Sequence, residues 1–512
     1  MLSRALLVGV LLAGAALAAD NSPLAQSPSA FVRTQAASAV QWHVWNDTSL
    51  AEAKKSGRSV YVFIGSPLSE LTRATIAQTF AQPKTVAWLN ENFYCIFVDA
   101  DTQPDVAAYG QHYIRSIKQL RGAPVHLWLT SDLQIYDGAN YLPPSEEWGK
   151  PGFLKAARSA LDTWQAGQGR AQGLAAEALD LMKMPPLEGA GQVDATAKLD
   201  AAAKAWIATI DPVNGGFGGA PKQPEPELIR FLLTRQDAAS RDAAINAARA
   251  MVKGALRDPV DGGFYRRCID EEWKEPYRQK TLIDQVRIAR ALFAAADATK
   301  DDSLRQAGIG ALDFVLKELK NPDGSFALAL DGTLEENVDP AKRPNFVKVG
   351  SASTGSLGLF VAALQRSGEA RFREAAIRLA GKFPARPASA SLKEPRLTHS
   401  TESEAFPTAY DFLGTVLSGQ ALQQSGMKEM MASTNEAYFD AATGTYLQVA
   451  LPLPVGLALR VPASGDTPAP EVLALLAGVD AKTADLIRRG LLSAIEYDDQ
   501  PPGDVLLGLA TK

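Results

Sequence analysis

Two textures of hydrophobic patterning divide the chain. From Val40 to about Trp164, short continuous apolar runs alternate with stretches in which apolar residues recur every three or four positions. Val60–Ile64, Phe93–Val98 and Val125–Leu129 are runs of the kind that strands buried on both faces show. Thr48–Lys55, Ala74–Asn90 and Val106–Lys118 carry helical spacing. The alternation predicts a βαβ arrangement with a mainly parallel sheet. A turn at Gly65-Ser66-Pro67 ends the first strand, and a Gly122-Ala123-Pro124 step precedes the third.

From about Leu181 the texture becomes Ala- and Leu-rich helical periods broken by recurring turns. Asn214-Gly215-Gly216-Phe217 follows Asp211-Pro212, and Asp261-Gly262-Gly263-Phe264 follows Asp258-Pro259. Asp323-Gly324-Ser325-Phe326 follows Pro322, and Thr443-Gly444-Thr445-Tyr446 follows Phe439-Asp440. The first residues of these turns are 47, 62 and 120 positions apart, the last gap close to twice the others. Such a period, one pair of helices and one Gly-aromatic loop per copy, predicts stacked αα-hairpins. About 330 residues at that spacing make six hairpins, enough to close an all-α (α/α)6 toroid whose loops gather at one face around a shallow funnel.

Composition adds limits. The chain has 512 residues, so two or three domains are expected. Its net charge of −5, with no basic cluster interleaved with aromatics, gives no reason to expect nucleic acid or an anionic membrane as partner. Residues 1–18 read as a secretory signal: Arg4, the apolar Ala5–Ala15, and an Ala16-Leu17-Ala18 cleavage site. The apolar run is short of the roughly 20 residues that span a bilayer, so a mature protein exported to the periplasm or medium is expected, with no membrane span. Residues 19–37 read as a polar linker, 38–168 as the α/β domain and 181–512 as the toroid. Two cysteines, Cys95 and Cys268, and four scattered histidines offer no zinc site, and no cofactor is expected. Cys95 lies within a strand pattern, so both thiols are read as small buried hydrophobes.

Several segments together carry a resemblance. Val40-Gln41-Trp42-His43-Val44-Trp45, Leu89-Asn90-Glu91-Asn92-Phe93, Val98-Asp99 and Pro104-Asp105-Val106 are four of them. Tyr141-Leu142-Pro143-Pro144, Pro151-Gly152-Phe153-Leu154 and Gly215-Gly216-Phe217-Gly218 with Ala220-Pro221-Lys222 complete the set. Over nearly all of the mature chain this resembles the thioredoxin-domain family that includes the spermatogenesis-associated thioredoxin-like proteins. The resemblance implies a thioredoxin-like domain followed by a six-hairpin α/α barrel like that of sugar epimerases and glycosidases. It also implies a Cys-x-x-Cys at a helix start, where the dipole lowers a thiol pKa, and a cis-proline at Pro124. This chain instead has Ser69-Glu70-Leu71-Thr72-Arg73 there. The family's W-x-x-P-H-F-E-K-M-L-Y-D-N run appears as Trp273 and then Pro276-Tyr277-Arg278-Gln279-Lys280-Thr281-Leu282-Ile283-Asp284-Gln285. Its later polar segments are represented by Val347-Lys348-Val349, Thr354-Gly355-Ser356 and Thr408-Ala409-Tyr410-Asp411-Phe412. Packing residues persist and polar site residues differ.

Candidate chemistry follows from these departures. Ser69 and Thr72 cannot exchange disulfides, and without a nearby base Ser69 or Ser66 reads as a helix N-cap. In the toroid, Asp270, Glu271 and Glu272 precede Trp273, while Tyr277, Lys280 and Asp284 follow. Carboxylates beside an indole suit a sugar-handling cleft; the plainer reading is a Lys280–Asp284 ion pair and a solvated loop. Candidate catalytic residues are therefore Asp270, Asp284, Tyr277 and Lys280, and candidate ligand contacts are Trp273, Phe264, Arg266 and Phe217. Of the histidines, His43, His112 and His126 fall in the first domain and His399 alone in the toroid, which excludes a two-histidine epimerase mechanism. The expected function is an exported, redox-inactive scaffold or binding protein holding a carbohydrate, a small molecule or a protein partner. The alternative is a carbohydrate-active enzyme using toroid carboxylates, and a thiol-disulfide oxidoreductase is the remote third.

Overall fold

The computed structural model describes residues 22–187, 195–333, 344–383, 399–400, 408–424, 426–448, 453–454, 456–461, 481–494 and 502–510. The signal segment lies outside them. Two compact units emerge: Met1–Met184 with Glu402–Phe406 and Val449–Val461, and Pro185–Thr401 with Pro407–Gln448 and Pro462–Lys512.

In the first unit, β1 (Trp42–Val44), β2 (Ser59–Gly65), β3 (Phe93–Asp99), β4 (Val125–Leu129) and β5 (Ile135–Ala139) form one sheet in the order β1-β3-β2-β4-β5. The first three strands are mutually parallel; β4 and β5 are antiparallel additions. Every residue of β2 and β3 is buried, which explains their continuous apolar runs: both faces are covered. Val60, Val62, Ile64, Ile96 and Leu127 point to one core, beneath α1 (Asp47–Ser56) and α4 (Pro104–Lys118). Their neighbours Tyr61, Phe63, Cys95, Phe97 and Trp128 point to the other, where α3 (Pro83–Asn92) and α5 (Phe153–Gln165) follow the short α2 (Glu70–Ala74).

This unit is larger than residues 38–168. The stretch 19–37, expected to be a linker, is part of the domain from its first described residue onward. Short helical turns at Pro23–Gln26 and Ala30–Arg33 bury Leu24 and Val32, and Ser29 Oγ donates to Asp99 Oδ2 at 2.6 Å. Leu24, Val32 and the partly buried Phe31, spaced among polar residues, are enough to dock a segment whose composition reads as solvated. At the other end α6 (Gln168–Leu181) packs back on the sheet, and His112 Nε2 bonds the Met182 carbonyl at 2.8 Å. A late segment also enters the core through Leu457 and Val461. There Gly456 lies flat on the indole of Trp45; a Cβ at that position would sit 2.5 Å from the ring.

The second unit is an α/α toroid of the six-hairpin class. Its described helices are α7 (Thr196–Ile207), α8 (Pro226–Leu233), α9 (Ala238–Lys253), α10 (Leu282–Thr299), α11 (Asp302–Phe314), α12 (Thr354–Arg366), α13 (Ala370–Ala380), α14 (Ala409–Ala421), α15 (Met427–Tyr438), α16 (Ala481–Ala494) and α17 (Gly503–Ala510). An inner row runs α17, α8, α10, α12, α14, each packed on the next. The other helices lie behind it: α9 and α11 on α10, α13 on α12, α15 on α14 and α16 on α17. Inner helices α10 and α14 are buried on almost every side, whereas outer α13 buries a stripe, Phe372, Ala376, Leu379 and Ala380. A small antiparallel sheet of β6 (Gln279–Thr281), β7 (Ala327–Asp331) and β8 (Val347–Ser351) stands at the N-terminal ends of α10 and α12.

Candidate functional site

At the start of α2, Ser69 is the N-cap: its Oγ accepts the Thr72 backbone N–H at 3.2 Å. Thr72 is fully buried, with its methyl against Gly65, where a Cβ would lie 2.6 Å away. Pro124 follows a cis peptide bond, so the backbone of a thioredoxin corner is kept. Its chemistry is not. No base touches Ser69 Oγ among the described residues, and both thiols are buried in apolar surroundings that push each pKa up to about 12. His126 on β4 is also sealed: burial pushes its pKa down to about 3, and Nδ1 lies 2.7 Å from the Tyr61 hydroxyl.

The Gly-aromatic loops of the toroid repeat in three dimensions. Each follows an outer helix and is pinched by short antiparallel pairing: Ile210 with Phe217, Arg257 with Phe264, Lys320 with Phe326, and Phe439-Asp440 with Thr445-Tyr446; the first three lead into the inner helices α8, α10 and α12. The aromatic residue of each is buried, so Phe217 and Phe264, expected as ligand contacts, are core. A buried lysine closes each of the first two loops. Lys222 Nζ meets Asp211 Oδ2 at 2.6 Å and the Gly215 carbonyl at 3.3 Å. Lys280 Nζ meets Asp258 Oδ2 at 2.6 Å and Asp261 Oδ2 at 2.8 Å, beneath the ring of Tyr265. Burial raises the Asp258 pKa, but hydrogen bonds from Lys280, Val260 N–H and Tyr265 outweigh it and bring it to about 2. Lys280 is therefore a staple for its loop, not an i,i+4 partner of Asp284 and not an exposed catalytic group.

Trp273 is corrected as well. It is only 3 % exposed, takes a left-handed φ of 61°, and donates from Nε1 to the Gly215 carbonyl at 3.2 Å. Its ring fills the space over Gly216, where a Cβ would sit 2.7 Å away, so no face remains for a sugar. It wedges the first loop against the end of α9, where its carbonyl accepts the Ala255 N–H at 2.7 Å. Asp270 accepts the Lys274 and Glu275 backbone N–H groups and closes its own turn. Tyr277 is half-buried under the Arg267 guanidinium, 4.3 Å from the ring centre, and the Arg266 backbone N–H donates to the Gln279 carbonyl. Asp284 sits in the first turn of α10, its Oδ2 accepting the Thr281 hydroxyl at 2.6 Å.

That last arrangement recurs. The N-termini of α10, α12 and α14 read Thr281-x-x-Asp284, Ser353-x-x-Ser356 and Thr408-x-x-Asp411, each N-cap oxygen accepting the N–H three residues on. At α14 the device is elaborated. Asp411 is fully buried; its Oδ2 accepts the Thr408 N–H and hydroxyl, both at 2.9 Å, and its Oδ1 accepts the Gly355 N–H of α12 at 3.0 Å. The fourth partner is His399 Nδ1, at 2.9 Å. Every other neighbour donates to the carboxylate, so Nδ1 is the ring nitrogen placed to donate to it. Glycines bring the two helices close enough for this: a Cβ at Gly358 would lie 2.1 Å from the Gly414 carbonyl oxygen, and one at Gly414 2.6 Å from that of Gly355. The His399 carbonyl in turn accepts the Thr354 N–H at 2.7 Å.

A carboxylate-oriented histidine at paired helix starts was not among the expected site residues. Two signals pointed to it: His399 is the lone histidine of the helical half, and Thr408-x-x-Asp411 repeats Thr281-x-x-Asp284. Among the described residues no group of three or more His, Cys, Asp or Glu could hold a metal, and no helix is long and apolar enough to cross a membrane.

Fold and site together define a class: a thioredoxin-like domain without redox thiols, joined in one chain to an α/α toroid. Residues 21–183 match the family Thioredox_DsbH, described as a protein of unknown function, DUF255. Spermatogenesis-associated protein 20 of Mus musculus is 25% identical over 322 residues, 60% of this chain and 40% of that protein. The Homo sapiens protein of the same name is 24% identical over 327 residues, 60% of this chain and 41% of its own length. This chain thus spans about two fifths of the length of the curated relatives it matches. Over that domain it is similar to those thioredoxin-like proteins, with Ser69 and Thr72 standing where a Cys-x-x-Cys would. Among solved structures it is similar to cellobiose 2-epimerase from Bacillus thermoamylovorans B4167 (10% identity, TM-score 0.46, 61% of this chain and 97% of that one). A sugar epimerase from a ruminal bacterium is another (14% identity, TM-score 0.43, 59% and 86%).

Proposed function

We propose that this is an exported, redox-silent protein whose toroid handles a carbohydrate, with His399 and Asp411 as its reactive centre and the thioredoxin-like domain as scaffold. The observation that carries this reading is the His399–Asp411 pair, fixed by four donors to one buried carboxylate at the starts of two inner helices. A base so oriented can take a proton from the carbon beside a sugar carbonyl. One base serves one face of the substrate. It can return the proton to the neighbouring carbon on the same side, interconverting an aldose and a ketose through an enediol, but cannot alone invert a stereocentre. Glycosidic hydrolysis fits less well. It needs two carboxylates about 5–9.5 Å apart flanking the bond, whereas Asp270 closes a turn and Asp284 is held by Thr281. Export rests on Arg4, the apolar Ala5–Ala15 and the Ala16-Leu17-Ala18 site.

The test is a ligand-observed NMR screen of the mature chain against aldoses, ketoses and the corresponding alditols. Binding of at least one sugar, lost in His399→Asn with helicity unchanged, supports the reading. A screen in which parent and variant behave alike would leave the toroid a scaffold for a protein partner instead.

A further inference from the structure

The first unit holds a cleft that none of the preceding chemistry uses. It lies where α4, β5 and α6 meet, with a volume of about 270 Å³, just under the roughly 300 Å³ at which small-molecule sites begin. Its wall includes Tyr113, Tyr136, Asp137 and Glu177. Tyr113 is 1 % exposed as a residue, and among the described residues its hydroxyl has no hydrogen-bond partner; that oxygen is not sealed in the core but opens into the cleft, within reach of a ligand's donor. Burial, then the charge of Asp137 beside it, push the Tyr113 pKa up, so it stays a neutral donor and acceptor.

Charge on the wall is unbalanced. Lys118 is held by Asp137 at 2.6 Å, a pair that cancels itself. Glu177 on α6 faces the same space and, among the described residues, has no cation of its own. The mouth is apolar: Leu174 and Leu181, both lining it, are 40 % and 63 % exposed. An uncompensated carboxylate, two phenol rings and an aliphatic lip select against anions and in favour of a cation with an apolar body.

We infer that this cleft is a binding site for a small primary ammonium ion carrying an aryl or alkyl body, its nitrogen between Glu177 and the Tyr113 hydroxyl. The ammonium supplies the hydrogen bond that Tyr113 lacks and the charge that Glu177 lacks. Its body covers Ile117, Leu174 and Leu181. The site is independent of His399 and stands whatever the toroid does.

Isothermal titration of the full mature chain with phenethylammonium and with its neutral counterpart 2-phenylethanol tests this. The amine should bind about tenfold more tightly than the alcohol, since only it gains the ion pair and the cation–π contacts. Glu177→Gln, a surface change, should weaken the amine about fivefold and leave the alcohol unaffected. Tyr113→Phe, which keeps the ring, should also weaken the amine selectively. Nα-acetyl-lysine methylamide separates two sources of the same chemistry: binding like the amine assigns the site to a lysyl side chain, weaker binding to a free amine, and either upholds it. Equal affinity for amine and alcohol, or a Glu177→Gln protein that binds the amine like the parent, would overturn it.

Discussion

The helix start at Ser69 and the helix start at Thr408 use the same local device, a hydroxyl N-cap accepting the N–H three residues on. They differ in what stands at that third position. In the thioredoxin-like corner it is Thr72, buried with its methyl against Gly65. In the toroid it is Asp411, whose carboxylate gathers four donors and orients His399. The first satisfies a backbone and stops there; the second uses the capping residue to hold a titratable group. A helix N-terminus becomes chemistry only when an ionisable partner is anchored to it, and in this chain Ser69 anchors none while Thr408 and Asp411 anchor His399.

The largest way to break this comparison is to remove the staple beside the toroid rim. Lys280 directly precedes Thr281, the cap of α10, and neutralises Asp258 and Asp261 inside the protein. Lys280→Met should destabilise the toroid by about 3–5 kcal/mol, because it strands buried carboxylates. Denaturant unfolding followed by far-UV circular dichroism would read this, and an unchanged midpoint would refute the staple. Next, Gly358→Ala places a methyl within 2.1 Å of the Gly414 carbonyl oxygen if nothing moves. It should cost about 3 kcal/mol by the overpacking of two backbones and should separate Gly355 from Asp411. A variant of parental stability would show that α12 and α14 are not in backbone contact.

His126 sharpens the contrast by pH. Its folded pKa, about 3, lies below its ordinary 6.5, so between those values the unfolded chain binds a proton that the folded one refuses. Stability of the first unit should therefore fall as pH drops from about 6.5 toward 3, and the slope in that window should shrink in His126→Gln. The surrounding groups are aromatic rings and Tyr61, whose pKa burial raises, so no carboxylate offsets the effect. Thermal melts at several pH values would show a parallel slope in parent and variant if His126 were accessible to protons. The smallest effect belongs to the silent corner. Ser69→Ala should cost about 1 kcal/mol, a lost N-cap and nothing more, and leave sugar binding by the toroid untouched.

Much of the fold was legible in the residues. Unbroken apolar runs at Val60–Ile64 and Phe93–Val98 announced strands covered on both faces, and the repeated Gly-aromatic turns announced hairpins in register. The docked segment around Leu24 and Val32 was not legible, because three apolar residues among serines carry no periodicity. The site was read less well for a similar reason. Trp273, Lys280 and Phe264 form the densest chemistry near a turn, yet that density is the loop fastening itself, with cation, carboxylates and indole consumed internally. Sequence neighbours cannot reveal such consumption, since the partners of Lys280 lie about twenty positions upstream. His399 and Asp411 were each visible; their meeting depends on three glycines that let α12 and α14 touch.

The most direct measurement is proton exchange at carbon. The mature protein is incubated in D2O with the sugars it binds, and deuterium entering the carbon beside the carbonyl is followed by NMR. Deuterium incorporation that disappears in His399→Asn and falls sharply in Asp411→Asn, while Ser69→Ala and Thr72→Val exchange like the parent, is the predicted result. Incorporation at the same rate in parent and His399→Asn, or none with any bound sugar, would contradict the assignment of the chain's chemistry to the toroid.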